Sequence, residues 1–208
     1  MSQSIKILFT IIIMNFALMP SFALIKGGID YKIPIDYSKM NQEQLELKAD
    51  GYYNSALAAK VLNDDMTSAL YLYTMLKNIA PDNMSYALRL GKLYDVLRKD
   101  KYAKGEYYRA LGLNQSRPEP YFYLGSFYYD REQYKRALKF YQKAYDRGYQ
   151  KNYRLLYNMG DIYQKFGDTK KALQFLEDAS NIEPSIDLDL KIQQVKNSDS
   201  NNKEYYRR

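Results

Sequence analysis

The sequence predicts an all-α fold in which helix pairs stack into an α-α superhelix, and three observations predict it. A five-residue phrase returns three times, as Leu90-Gly91-Lys92-Leu93-Tyr94, Leu124-Gly125-Ser126-Phe127-Tyr128 and Met159-Gly160-Asp161-Ile162-Tyr163. Its glycines are 125 − 91 = 34 and 160 − 125 = 35 residues apart, a period that belongs to stacked repeats. Small and large residues then recur at fixed offsets. Ala103, Ala137 and Ala172 stand twelve residues after the glycines, Tyr107, Tyr141 and Leu176 four further on, and Ala110, Ala144 and Ala179 three beyond those. Finally, Pro81, Pro118, Pro120 and Pro184 punctuate the period, and proline breaks a helix interior but suits its first turn.

Taken in chain order, the elements start with a secretory signal over residues 1–23. Lys6 gives the positive charge, residues 7–19 form an apolar run of 19 − 7 + 1 = 13 residues interrupted by Thr10 and Asn15, and Pro20 ends it. Ser21-Phe22-Ala23 places cleavage after Ala23. The run is shorter than the roughly 20 apolar residues of a membrane span, though an uncleaved anchor stretched to Ile25 is the alternative. Residues 24–49 read as an extended lead-in with Gly27-Gly28 and Pro34, then the start of a helical pattern from Lys39 through Leu45, Leu47 and Ala49. The array follows over 50–186, in units 50–83, 84–117, 118–152 and 153–186. The first unit is faint: Tyr53, Ala69 and Tyr73 fit, but Leu57 and Lys60 replace the glycine and tyrosine, as terminal units often do. Lys99-Asp100, Arg131-Glu132 and Gly167-Asp168 mark the turns inside the pairs. A capping helix is expected over 187–196, on Leu188, Leu190, Ile192 and Val195, and a disordered polar tail over 197–208.

The spacing has a packing logic. A mid-helix glycine costs about 1 kcal/mol against alanine, so Gly91, Gly125 and Gly160 mark places where a neighbour comes close. Ala103, Ala137 and Ala172 sit where the paired helix crosses. Tyr94, Tyr107, Tyr128, Tyr141 and Tyr163 are expected to fill the gaps between layers. One pair cannot cover its own apolar face, and stacking makes the core continuous.

With its large residue at Tyr121 and Leu156, then Leu-Gly or Met-Gly, tyrosine, alanine, a large residue and a closing proline, the pattern resembles the tetratricopeptide repeat. The resemblance implies a right-handed solenoid of about four helix pairs that binds other proteins. It also implies that the first helix of each unit lines the concave side. Residues one after each glycine, and three and six before it, would look outward there: Lys92, Leu88 and Ser85, then Ser126, Phe122 and Glu119, then Asp161, Tyr157 and Arg154. Asp95, Tyr129 and Gln164, four after the glycine, should face the same way. The expected partner-binding groove is therefore Leu88, Lys92, Asp95, Phe122, Ser126, Tyr129, Arg154, Tyr157 and Asp161. Lys92 and Arg154 suit a carboxylate, and Phe122, Tyr129 and Tyr157 suit an apolar side chain, as an extended peptide or a docked helix would offer. The carboxylate clamp by which some relatives hold chaperone tails is not reproduced, since Leu88 stands where a lysine is expected and Lys92 where an asparagine is.

Composition narrows function. There are no cysteines and no histidines, which removes disulfides, thiol chemistry, and the commonest metal ligand and general base. No catalytic residue, metal or cofactor is expected. Asp64-Asp65 lies at a turn and reads as solvated. Net charge is +7, which favours anionic partners, although the charges are scattered along helix faces. Export makes nucleic acid a poor partner. The reading is a noncatalytic protein-protein interaction scaffold of the bacterial cell envelope, periplasmic or secreted. Its 24 tyrosines and basic residues raise the alternative of a carbohydrate- or cell-wall-binding protein.

Overall fold

A computed structural model describes the backbone of residues 37–205 and the side chains of residues 37–197. The expected signal and the lead-in as far as residue 36 lie outside the described residues. Among the described residues there are nine α-helices and no strand. They are α1 (Gln42–Ala59), α2 (Asp64–Ile79), α3 (Met84–Val96), α4 (Asp100–Leu113), α5 (Glu119–Tyr129), α6 (Tyr134–Ala144), α7 (Tyr153–Lys165), α8 (Thr169–Ile182) and α9 (Ile186–Tyr205). Two compact bodies result, the first ending at Leu113 and the second beginning at Asn114. The first holds the pairs α1–α2 and α3–α4; the second holds α5–α6 and α7–α8, with α9 packed on α8.

Asparagine and aspartate start most of these helices. The Asn41 side chain accepts from the Gln44 amide at 2.9 Å while the Gln44 side chain accepts from the Asn41 amide at 3.0 Å, a reciprocal capping box. Asn63, Asn83, Asn152 and Asp168 cap α2, α3, α7 and α8 in the same sense. α5 instead carries Pro120 in its first turn. The capping box at Asn41 starts the first helix at Gln42 rather than at residue 50, and with no proline before Ala59 the helix runs on through Gly51.

Two further boundaries differ from expectation. α9 does not stop at 196 with a disordered tail but continues to Tyr205, because neither proline nor glycine follows Pro184, and Asp187 and Asp189 favour its first turn. α6 ends in a π-helical turn, Tyr145–Tyr149, that relaxes at Gly148, whose φ of 110° lies where side chains are rarely tolerated.

The motif glycines meet large side chains inside their own pairs. A Cβ on Gly91 would lie 2.5 Å from the Tyr107 ring, one on Gly125 would overlap the Tyr141 ring, and one on Gly160 would lie 2.7 Å from Leu176. Tyr107 and Tyr141 have no exposed surface, and neither do Ala103, Ala137 and Ala172. The expected placing of tyrosines between layers is therefore corrected. Tyr128 stacks on Phe140 at 5.5 Å, Tyr163 stacks on Phe175 at 5.5 Å, and Tyr94 lies 5.5 Å from Tyr102, each within one helix pair. The rings fill the seam that the missing Cβ opens. Phe175 also receives Tyr145 of the preceding repeat edge-on at 5.9 Å.

This seam gives opposite signs for two glycine substitutions. Gly125→Ala must displace a ring with no free volume around it, at a cost of about 1–3 kcal/mol, against which alanine's helix propensity returns about 1 kcal/mol. Gly105, exposed within α4, has nothing within 4 Å of its Cβ position. Gly105→Ala should therefore stabilise by up to about 1 kcal/mol while Gly125→Ala destabilises. Urea unfolding followed by helical circular dichroism checks the pair.

Candidate protein-interaction face

Each body presents its own first-helix face. In the first body, α1 and α3 are joined by polar contacts. The Tyr86 hydroxyl bonds the Glu46 carboxylate and accepts from Gln42 Nε2 at 3.1 Å. Arg89 pairs with Asp50 at 3.3 Å and lies 4.3 Å over the Tyr53 ring, while the Tyr73 hydroxyl donates to Asp50 at 2.5 Å. Tyr86 and Gln42 hold the Glu46 carboxyl below its ordinary value, and burial followed by Glu46 pushes the Tyr86 phenol up to about 12. Sequence reasoning missed these residues, because the first repeat lacks the glycine that sets the register.

Of the expected site residues in this body, Lys92 is half-buried and lies 4.0 Å from Asp95. Leu88, at 7% exposure, belongs to the packed side, and so does Asp95 at 5%. These two placements correct the expected groove. α3 packs against α1, α2 and α4. Asp95 lies 3.5 Å from the Tyr107 hydroxyl, at the outer limit of a hydrogen bond.

In the second body, the expected residues form a denser arrangement on α5 and α7. Phe122 is half-buried against Tyr149 at 5.6 Å and Tyr141 at 6.0 Å. The Tyr141 hydroxyl donates to Ser126 Oγ at 3.2 Å and accepts from Asn158 Nδ2 at 2.8 Å. The Tyr129 hydroxyl donates to Asp161 Oδ2 at 2.7 Å, tying α5 to α7. Tyr157 stacks with Tyr153 at 6.1 Å, and Arg154 is exposed beside them in sequence.

Asp161 is buried rather than open, at 7% exposure. Lys191 of α9 donates to its Oδ1 at 2.5 Å and lies 5.0 Å over the Tyr157 ring, while Lys165 sits 3.7 Å from its Oδ2. Burial pushes the Asp161 carboxyl upward, but hydrogen bonds from Lys191 and Tyr129 and the charges of Lys191 and Lys165 hold it below the ordinary aspartate value. Burial, then Asp161, raises the Tyr129 phenol. The carboxylate is thus ionised and fully engaged within the molecule. It bonds the Tyr129 hydroxyl directly and holds Lys191 over the Tyr157 ring. Lys191 was not found from sequence, since α9 lies outside the repeat register.

Chemically the face offers aromatic surface with polar tips and a guanidinium. Among the described residues no three acids, cysteines or histidines gather as a metal site. Tyr108 is the one exposed tyrosine among the described residues, at 43%, and the others are buried or half-buried. That leaves the carbohydrate reading without an exposed aromatic platform.

Residues 116–184 match the family model of the tetratricopeptide repeat. Within that segment Gly125 lies against the Tyr141 ring and Gly160 against Leu176, as Gly91 lies against the Tyr107 ring before it. Residues 116–184 are tetratricopeptide repeats. No curated protein matches the sequence. Among solved structures, PilF of Pseudomonas aeruginosa is similar with a TM-score of 0.63 and 17% identity, over 76% of this chain and 71% of that one. MamA is similar with a TM-score of 0.56 and 19% identity, over 80% of this chain and 90% of that one. At these identities the likeness is one of fold. Tetratricopeptide repeat proteins bind other proteins and are typically noncatalytic scaffolds.

Proposed function

We propose that this tetratricopeptide repeat protein is a noncatalytic scaffold of the bacterial cell envelope that holds an extended peptide or a helix on its first-helix face. The observation that supports the reading most is the α5–α7 arrangement. Phe122, Tyr129 and Tyr157 remain partly exposed while hydrogen bonds and ring contacts fix them from behind. Aromatic groups ordered before binding lose little freedom when a partner arrives. Arg154 adds a positive charge suited to a partner carboxylate. The apolar run 7–19 ending at Ser21-Phe22-Ala23 supports export.

The test is site-specific photo-crosslinking in the native cell. A photoreactive residue at Arg154 should give a discrete adduct with another protein. The same residue at Gln174, exposed on the second helix α8, should not. The adduct should weaken with Phe122→Ala plus Tyr157→Ala, and the crosslinked chain should begin at Leu24. Equal adducts from both positions, or none from Arg154, would reject the face. A chain that retains residues 1–23 would reject cleavage at Ala23.

A further inference from the structure

The four second helices differ sharply in charge. α2 carries Asp64, Asp65 and Lys77 for a net of 1 − 2 = −1, and α4 carries Lys101, Lys104 and Arg109 against Asp100 and Glu106 for 3 − 2 = +1. α8 balances Lys170 and Lys171 against Glu177 and Asp178 for 2 − 2 = 0. α6 alone has Lys135, Arg136, Lys139 and Lys143 with no acid, a net of +4 in 11 residues. That concentration is a departure from its own repeat set.

Geometry puts the four cations together. At 3.6 residues per turn they fall within an arc of about 100°, opposite the buried Ala137, Tyr141 and Ala144. Lys135 and Lys143 lie about 12 Å apart along the axis. Lys135, Arg136 and Lys139 are exposed and Lys143 is half-buried. Several cations elsewhere are neutralised, as Lys77 is by Glu106, Lys171 by Asp168, Lys191 by Asp161 and Lys196 by Glu177. None of the four on α6 is paired with a carboxylate among the described residues. Instead Arg136 lies 5.7 Å over Tyr128, and Lys143 lies 5.8 Å over Tyr121 beside Arg147 at 4.3 Å. Those rings orient the cations without cancelling their charge.

We propose that this face of α6 docks the C-terminal body on an anionic phospholipid surface. Point charges spread over one side of a helix carry little geometry with which to read the sequence of an acidic peptide. They do suit a field of laterally mobile phosphates that can gather beneath each cation. Each cation near an anionic bilayer strengthens binding by about fivefold, so four act together on the order of several hundredfold. The attraction is electrostatic and falls with salt.

The test is sedimentation of the full chain with phosphatidylcholine vesicles, with and without added phosphatidylglycerol. The chain should bind the anionic vesicles preferentially and release as salt is raised. An apolar N-terminal segment would bind both vesicle types alike and so does not imitate this result. K135Q/K139Q should lower the anionic partition by about 25-fold, whereas K101Q/K104Q on α4, also exposed, should leave it within about twofold of the unaltered chain, since those lysines lie off the α6 row. Because all four substituted lysines are exposed, circular dichroism should be unchanged. Equal binding to both vesicle types, or K135Q/K139Q binding like the unaltered chain, would overturn the proposal. So would α6-dependent binding of soluble polyglutamate without vesicle binding, which would assign the face to an acidic polypeptide.

Discussion

Tyr141→Ala is expected to cost about 3–5 kcal/mol of unfolding free energy, the range for deleting a large buried ring. Tyr141 has no exposed surface and lies against Gly125, so its removal opens a void bounded by a glycine that offers nothing to fill it. It also leaves Ser126 and Asn158 without the hydroxyl that joins them. Tyr141→Phe separates the two contributions. It keeps the ring and loses only the hydroxyl, at about 1 kcal/mol. Urea unfolding monitored by helical circular dichroism should rank the chains as unaltered, then Phe, then Ala, with the larger step between Phe and Ala. A larger step between the unaltered chain and Phe would mean that the polar junction, and not the glycine seam, holds this repeat together.

How far the sequence reveals this molecule depends on whether a residue acts through the repeat or outside it. The glycines were legible because their recurrence has one economical explanation, a neighbour too close for a Cβ. What lies against them was less so. Tyr107 and Tyr141 recur as plainly as the glycines, but periodicity does not say whether a ring points into its own pair or toward the next layer. The 16-residue offset from Gly91 to Tyr107, Gly125 to Tyr141 and Gly160 to Leu176 is the signal that would have decided it. On the face, Phe122, Tyr129, Arg154 and Tyr157 were placed from the register alone. Leu88 and Asp95 are buried on α3, and the register alone does not show how closely that helix is packed by α1, α2 and α4. Asp161 is buried and neutralised by Lys191, whose helix has no repeat to align it. The asparagine caps were available in the sequence, as Asn41, Asn63, Asn83 and Asn152 each precede a helical pattern.

The second large effect concerns independence. In the second body, the repeat 118–152 consists of two 11-residue helices and a π turn, lengths at which isolated helices are marginal in water. Much of what fixes it comes from the next repeat. Asn158 bonds Tyr141 at 2.8 Å, Asp161 bonds Tyr129 at 2.7 Å, and Phe175 meets Tyr145 at 5.9 Å. Excision removes all three and exposes the ring surface they cover. Far-ultraviolet circular dichroism of a peptide covering residues 118–152, compared with the full chain, tests the shared-core account most directly. The account predicts a largely unfolded peptide beside a cooperatively melting helical chain. A peptide as helical and as cooperative as the full chain would contradict it.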